Sequence, residues 1–475
     1  MLQLEPAQRQ RVWQLLIEIL EQYQRDVETL PVTPEVTAAE LRQQLEPFDF
    51  RQPCDPTAAI QFVAQALRRG QIHTPHPGYF GLFNPAPTTM GIVADALVAA
   101  FNPQMATWVH SPFAIEVERH LLQQFGQRFG YAPGQSEGTF ASGGAEANHT
   151  AVLTALAQCL PEFLKDGIRA LPGQPVFYVS CEGHHSFLKA ARLCGLGAEA
   201  VREIPVDEQL HLRTDHLRQR ITQDRAAGQL PFLMVGTAGT TSAGMIDPLP
   251  ELARIAQAER LWFHVDAAWG GAAVLVPELR NFLNGIEAAD SITFDAHKWL
   301  SVPMGAAMYL TRHRGILEKT FRVAATYMPD AAPMEERSDP YATSIQWSRR
   351  FIGLKVFLSL AVAGWEGYAI TLRHMTAMGQ ALRQLLAADD WLVVNTTPLP
   401  VVCFTLPDRP RGPAGRRLLD TITERVLAQG QSWISVTVLG GTLPVLRACI
   451  TNYHTQSADL RNLCQGLRQA RQGMV

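Results

Sequence analysis

The stretch Ser291-Ile-Thr-Phe-Asp-Ala-His-Lys-Trp299 decides how this chain is read. A short β-branched and aromatic run ends in polar residues, and Lys298 directly follows His297. A lysine at the end of a core strand is costly unless it has a task. One such task is a Schiff base to an aldehyde, because a desolvated lysine loses its proton easily and becomes a nucleophile. Upstream, Leu261-Trp-Phe-His-Val-Asp266 is a second apolar run, closing on a carboxylate and followed by Ala-Ala-Trp-Gly-Gly. An amine and a carboxylate on two neighbouring strand ends suit pyridoxal phosphate, with Lys298 on the aldehyde and Asp266 on the pyridinium nitrogen.

Working outward, short apolar runs alternate with helical patterns from about residue 90 to 310. Strands are expected at Val176–Ser180, Phe232–Gly236, Leu261–Val265, Ser291–Phe294 and Ala306–Leu310. This alternation is the signature of βαβ units and a largely parallel sheet, an α/β architecture. Residues 7–29 carry Val12, Leu15, Leu16, Ile19 and Leu20 at helical spacing. Residues 351–385 read as one long helix with a break at Gly364, and Met328–Pro340 reads as a polar mobile loop. Strands at Trp391–Val394, Val401–Thr405 and Val445–Ile450 mix with helices as in a small α+β domain. The expected organisation is an N-terminal helical segment (1–75), a large domain (76–350) and a small C-terminal domain (351–475).

Bulk composition narrows the function classes. The 475 residues are 47% hydrophobic and 18% charged, enough for a sizeable core. A formal net charge of −3 gives no electrostatic footprint for nucleic acid. The seven cysteines are scattered without a C-x-x-C pair, which reads as thiols in a reducing compartment. Glu5, Arg9 and Arg11 precede any apolar run, so no signal peptide is expected. The apolar stretch Val356–Trp365 is too short to span a bilayer. The expectation is a cytoplasmic protein with no membrane partner.

Three further motifs follow predicted strands. Thr139-Phe-Ala-Ser-Gly-Gly-Ala-Glu-Ala-Asn148 precedes a helical run, and small residues at such a turn let backbone N–H groups approach a phosphate. The plainer reading is a tight turn with Ser142 capping the helix. No G-x-G-x-x-G or G-K-[ST] supports a dinucleotide or P-loop site. Tyr178-Val-Ser-Cys-Glu-Gly-His-His-Ser186 sets two histidines beyond a strand, with no third ligand at metal spacing. No metal is expected. A neutral imidazole can instead lie flat on a heteroaromatic ring, or the segment is a helix-start loop. Val235-Gly-Thr-Ala-Gly-Thr-Thr-Ser242, with Asp247 beyond it, is a third small-residue turn.

Taken in order, Ser-Pro-x-x-x-Glu (111–116), Gly-Gly-Ala-Glu-Ala (143–147), Ser-x-x-x-His-x-Ser (180–186), Thr-Ala-Gly-Thr-Thr (237–241), His-Val-Asp-Ala-Ala-Trp (264–269) and His-Lys-Trp (297–299) resemble the group II pyridoxal-phosphate-dependent amino-acid decarboxylases. That family includes aromatic-L-amino-acid, glutamate, tyrosine and diaminobutyrate decarboxylases. The resemblance implies fold type I, a mostly parallel central sheet with helices on both faces, and an obligate homodimer with active sites at its interface. It implies that Lys298 carries the cofactor, Asp266 keeps the ring nitrogen protonated and His184 stacks on the ring. Gly144 and Ala145 would offer N–H groups to the phosphate, Thr241 and Asp247 would occupy the turn that helps seat the ring and count with the cofactor-binding residues, Ala268 would pack under the ring, and His297 would contact substrate or cofactor. Trp108 and the 79–84 loop, Phe83 included, would line the substrate pocket.

Two assignments stay open on the residues alone. Arg349 matches a position at which glutamate decarboxylases hold a substrate carboxylate; the alternative is a helix-start arginine in surface pairs. Tyr341 sits near the place of the family's proton-donating loop tyrosine; the alternative is a loop aromatic that anchors the turn. Asp295 departs from the asparagine of several aromatic-amino-acid members, because a carboxylate beside phosphate is repulsive, so it is expected to cap a turn or meet an arginine. His185 is expected only to fill space. The expected activity is conversion of an L-amino acid to a primary amine and CO₂. An aminotransferase, an aldehyde synthase and a cofactor-binding homologue without turnover are the alternatives. Leu82, Phe83, Asn84 and Trp108 favour an aromatic substrate, whereas Arg349 would suit an acidic one.

Overall fold

The computed structural model describes residues 2–323, 339–408 and 410–472. Its centre is a seven-stranded sheet made of β1 (Glu137–Ala141), β2 (Pro175–Ser180), β3 (Val201–Ile204), β4 (Leu230–Thr237), β5 (Trp262–Asp266), β6 (Ser291–Asp295) and β7 (Ala307–Thr311). The spatial order is β1-β7-β6-β5-β4-β2-β3. The pairs from β3 through β6 are parallel, while β7 runs antiparallel to both β6 and β1. A sheet covered on both faces needs continuous apolar strands rather than alternation. Pro-Val-Phe-Tyr-Val-Ser of β2 and Trp-Phe-His-Val-Asp of β5 meet that need, being buried at every position.

Parallel strands deliver their carboxyl ends to one side, where open α/β sheets bind ligands. Thr237, Asp266 and Asp295, the last residues of β4, β5 and β6, therefore line one edge. The backbone ties them together: Ala238 N–H donates to the Asp266 carbonyl at 2.8 Å, and Ala267 N–H donates to Thr293 at 3.0 Å.

The smaller sheet has the order β10-β11-β9-β8 and is antiparallel throughout, with β8 (Leu392–Val393), β9 (Val401–Thr405), β10 (Ser435–Leu439) and β11 (Leu443–Cys449). Phe80 is wholly buried in its core, and Phe80 N–H donates to the Trp433 carbonyl at 2.8 Å, so the 79–84 loop is anchored on this domain. The helix Gly353–Ala388 contains Gly364 at φ 64°, ψ 172°, a break that glycine takes without Cβ strain. The expected N-terminal helix is present over Pro6–Asp26. The helices Pro6–Asp26, Ala38–Leu45 and Pro56–Gly70 have no buried residue. No helix among the described residues is long and apolar enough to cross a membrane. Most of the expected loop 328–340 lies outside the described residues; Asp339 and Pro340 are within them.

Candidate active site

Lys298 sits three residues past the end of β6, with its side chain 23% exposed. The turn that presents it is closed by Lys298 N–H donating to the Asp295 carbonyl at 3.2 Å. Its Nζ lies 3.0 Å from Asp295 Oδ2. Asp266 is 4% exposed at the neighbouring strand end. Its Oδ1 accepts the Ala268 N–H at 3.1 Å and its Oδ2 accepts the Asn148 amide at 2.8 Å.

His184 lies beyond β2 and is exposed, so its ring is uncovered. Nδ1 lies 2.8 Å from Ser186 Oγ and accepts the Ser186 backbone N–H at 3.2 Å. A backbone N–H can only donate, so the neutral ring carries its proton on Nε2. Desolvation, opposed by the Asp266 charge, holds the His184 pKa below its ordinary value. His297 is 5% exposed; its Nδ1 accepts the Ala306 N–H at 2.9 Å and its Nε2 stands 3.7 Å from Asp295 Oδ2. Desolvation lowers its pKa as well.

The turn before the helix Gly144–Cys159 matches the expected small-residue cradle. A Cβ on Gly144 would come within 2.9 Å of Asp295 Oδ2 and 3.4 Å of the Ala268 methyl, whereas one on Gly143 would meet only His297 Cε1, at 4.0 Å. Space for a ligand is thus kept at Gly143. Gly144 N–H donates to Asp295 Oδ2 at 3.1 Å, and Ala145 in the same turn is exposed. Ser142 does not cap the helix as the plainer reading expects; Ser142 N–H and Oγ–H both donate to Glu146, at 2.9 and 2.7 Å.

Several expected residues are employed elsewhere. Arg349 neither faces a substrate nor makes a surface pair: its side chain is 5% exposed and forks onto the equally buried Glu118. Glu118 also accepts the N–H groups of Ile352 and Gly353, so the pair nails down the start of the long helix. Asp247 is fully committed to backbone, accepting Thr237 N–H at 2.8 Å and Leu212 N–H at 3.0 Å. It holds in shape the β4 turn expected to help seat the ring, through the backbone and not through a free carboxylate; burial pushes its pKa up to about 6. Thr241 is half-buried in that turn, and its carbonyl accepts Arg447 Nη1–H at 2.7 Å. Phe83 is 6% exposed and stacks on Trp269 at 4.4 Å, so its ring is spent in the core; Leu82, 50% exposed, is the open residue of that loop. Asp295 accepts the Gly144 N–H at the helix-start turn, as the capping expectation has it, and its cationic partner is Lys298 in place of an arginine. His185 precedes the helix Ser186–Leu193 and is exposed rather than filling space.

Trp108 and Tyr341 are tied to one another's segments. Trp108 N–H donates to Asp339 at 2.7 Å, and Tyr341 N–H donates to Ala106 at 3.1 Å. Trp108 Nε1–H donates to Glu116 at 3.0 Å, and the Tyr341 ring packs on Trp347 at 5.0 Å. Gln346, further along, donates to Glu146 and so reaches the cradle.

Asn148 and His264 escaped the sequence reading. Asn148 is 1% exposed and bonds both Asp266 and Ser186, while His264 is wholly buried behind it. Their signal was available: two polar residues on otherwise apolar elements, Asn148 one helical turn beyond the cradle. Among the described residues no group of three His, Cys, Asp or Glu is arranged to hold a metal ion.

Comparison with known proteins agrees with this arrangement. The family model described as "Pyridoxal-dependent decarboxylase conserved domain" matches residues 40–407. The chain is 28% identical to an aromatic-L-amino-acid decarboxylase of Bacillus atrophaeus over 98% of this chain and 96% of that one. It is also 28% identical to a 4-hydroxyphenylacetaldehyde synthase of Rhodiola rosea, over 97% and 94%. A crystal structure of Oryza sativa TDC with PLP and tryptamine superposes with a TM-score of 0.93 at 24% identity, covering 100% and 99%. The residues present fit pyridoxal phosphate: an accessible amine, a buried carboxylate on the adjacent strand end, an uncovered imidazole and an open glycine turn meet at one sheet edge. The chain belongs to the pyridoxal-dependent decarboxylase family, and its cofactor is pyridoxal phosphate.

Proposed function

We propose that the protein decarboxylates an L-amino acid with an aromatic side chain, releasing the primary amine and CO₂. The observation that carries the reading is a buried carboxylate, Asp266, at the end of β5 and an amine, Lys298, in the turn just past the end of the parallel neighbour β6. Pyridoxal phosphate, when bound, supplies the sink for the electron pair left on Cα. Lys298 would hold the cofactor through its aldehyde. Asp266 keeps the ring nitrogen protonated from a dry position, where such a pairing is worth far more than the ~0–1 kcal/mol of exposed pairs. His184 would lie against one face of the cofactor's ring, with Ala268 under the other. Gly144, Ala145 and His297 would hold its phosphate end, with Thr241 in the adjoining turn. Trp108 and the 79–84 loop orient the substrate so that its Cα–carboxylate bond, not Cα–H, stands perpendicular to the ring. Tyr341 is the proposed donor of the final proton to Cα.

The aromatic assignment follows from Arg349. Its guanidinium is spent on Glu118 and is not free to take a substrate's side-chain carboxylate. The Bacillus atrophaeus relative acts on aromatic amino acids by name, in keeping with this choice.

A homodimer completes the proposal. Trp13, Ile17 and Leu20 of the first helix, Val63 and Leu67 of the third, Phe101 and Phe113 are 40–82% exposed. A second copy seated on these helices would cover them. All seven cysteines are free thiols, which suits a reducing, cytoplasmic setting.

The test is a screen of CO₂ release over the twenty amino acids plus DOPA, diaminobutyrate and ornithine, with products identified and oxygen monitored. Amine in equal yield to CO₂ from an aromatic substrate supports the proposal. Aldehyde with oxygen consumed would support the aldehyde-synthase reading that the Rhodiola rosea relative represents. Release from glutamate or aspartate alone would overturn the aromatic assignment.

A further inference from the structure

We propose that Asn148 is a positioning residue for Asp266, fixing its carboxylate through one amide whose direction is set by the buried His264 behind it. The inference rests on the reading that Asp266 meets the cofactor's ring nitrogen.

The direction of every bond follows from what each atom can do. A carboxylate oxygen accepts, so the Asn148 atom 2.8 Å from Asp266 Oδ2 is the NH₂ nitrogen. The same nitrogen lies 2.9 Å from Ser186 Oγ. That leaves Asn148 Oδ1 facing His264 Nε2 at 3.2 Å, so this imidazole carries its proton on Nε2. His264 Nδ1 then accepts from Ser291 Oγ at 2.8 Å, and Ser291 in turn accepts Trp262 Nε1–H at 2.8 Å. The indole N–H can only donate, which starts the chain in one direction.

Burial makes the arrangement stiff. Asn148, His264 and Ser291 are at most 1% exposed, so no water replaces a lost partner. Desolvation holds the His264 pKa down to about 4, so the ring is neutral and keeps the single proton this direction demands. Asn148 also reaches the second flank of the site, because the Ser186 hydroxyl it touches lies 2.8 Å from His184 Nδ1. One side chain on the cradle helix thus joins the carboxylate at the ring nitrogen to the imidazole proposed for the ring face.

The test compares the apoprotein's equilibrium affinity for pyridoxal phosphate with that for its 1-deaza analogue, in which carbon replaces the ring nitrogen. The unsubstituted protein is expected to prefer the natural cofactor by tenfold or more. Asn148→Leu is expected to erase at least fivefold of that preference while binding the analogue as before, and Asn148→Thr, which still offers a hydroxyl donor, to retain most of it. Should the leucine prevent folding, Asn148→Ala removes the amide without adding bulk and carries the same expectation. A preference left intact in Asn148→Leu or Asn148→Ala overturns the inference while leaving Asp266 in its role. No preference in the unsubstituted protein overturns the Asp266 assignment itself, and the inference with it.

Discussion

The amine of Lys298 lies 3.0 Å from Asp295 Oδ2, the oxygen that also accepts the Gly144 N–H. Asp295 is 1% exposed, and its second oxygen has no partner. The carboxylate therefore occupies a donor that a phosphate would use, and holds the amine that an aldehyde would take. Asp295→Asn keeps an acceptor and removes the like charge. The variant apoprotein is expected to bind pyridoxal phosphate about tenfold more tightly, with a smaller gain for unphosphorylated pyridoxal. Fluorescence titration measures both, and weaker binding of the phosphorylated form would contradict the account.

Arg349 and Glu118 form a buried pair that also serves the N–H groups of Ile352 and Gly353. Removing one partner strands the other charge, so Arg349→Ala should cost about 3–5 kcal/mol of stability. Denaturant unfolding with an unchanged midpoint, together with a lost preference for one substrate class, would restore Arg349 to the substrate.

Proton donation separates two tyrosines. Tyr341 is half-buried against Trp347, while Tyr327 lies outside the described residues. If Tyr341 is the donor, Tyr341→Phe lowers kcat by about 100-fold with KM little changed. A variant with ordinary kcat, alongside a Tyr327→Phe variant that loses it, would make Tyr341 an anchor.

His264 should make the protein acid-labile. Its folded pKa of about 4 lies below the ordinary 6.5, so the unfolded chain takes up a proton that the native state refuses. This penalty is absent above pH 6.5 and grows as pH falls toward 4, where it approaches about 3 kcal/mol. His264→Gln is expected to flatten the loss of stability between pH 6 and 4, whatever its effect at pH 7. Urea midpoints across that range with the same slope in both proteins would count against it.

The parallel sheet was legible because β2, β4, β5 and β6 are continuous apolar runs ending in small or acidic residues. β1, Glu-Gly-Thr-Phe-Ala, was not, because its register depends on the antiparallel β7 and not on its own pattern. β3 and β10 were missed for a similar reason: each is a short edge strand with half-exposed positions. Lys298, Asp266 and His184 were visible as polar residues placed where apolar runs stop. Asn148 was visible as a polar residue on the cradle helix, but its role depends on Asp266, 118 residues away, and shows only once the two are folded together. Arg349 illustrates the converse: a charged residue near a motif reads as functional until its partner, 231 residues away, is seen.

The most direct test of the central claim is borohydride reduction of the purified holoenzyme, followed by proteolysis and mass spectrometry. The account predicts a stable phosphopyridoxyl adduct on the peptide carrying Lys298, absent in Lys298→Ala together with the visible absorbance of the bound cofactor. An adduct on another lysine, or coloured and active Lys298→Ala, would contradict it.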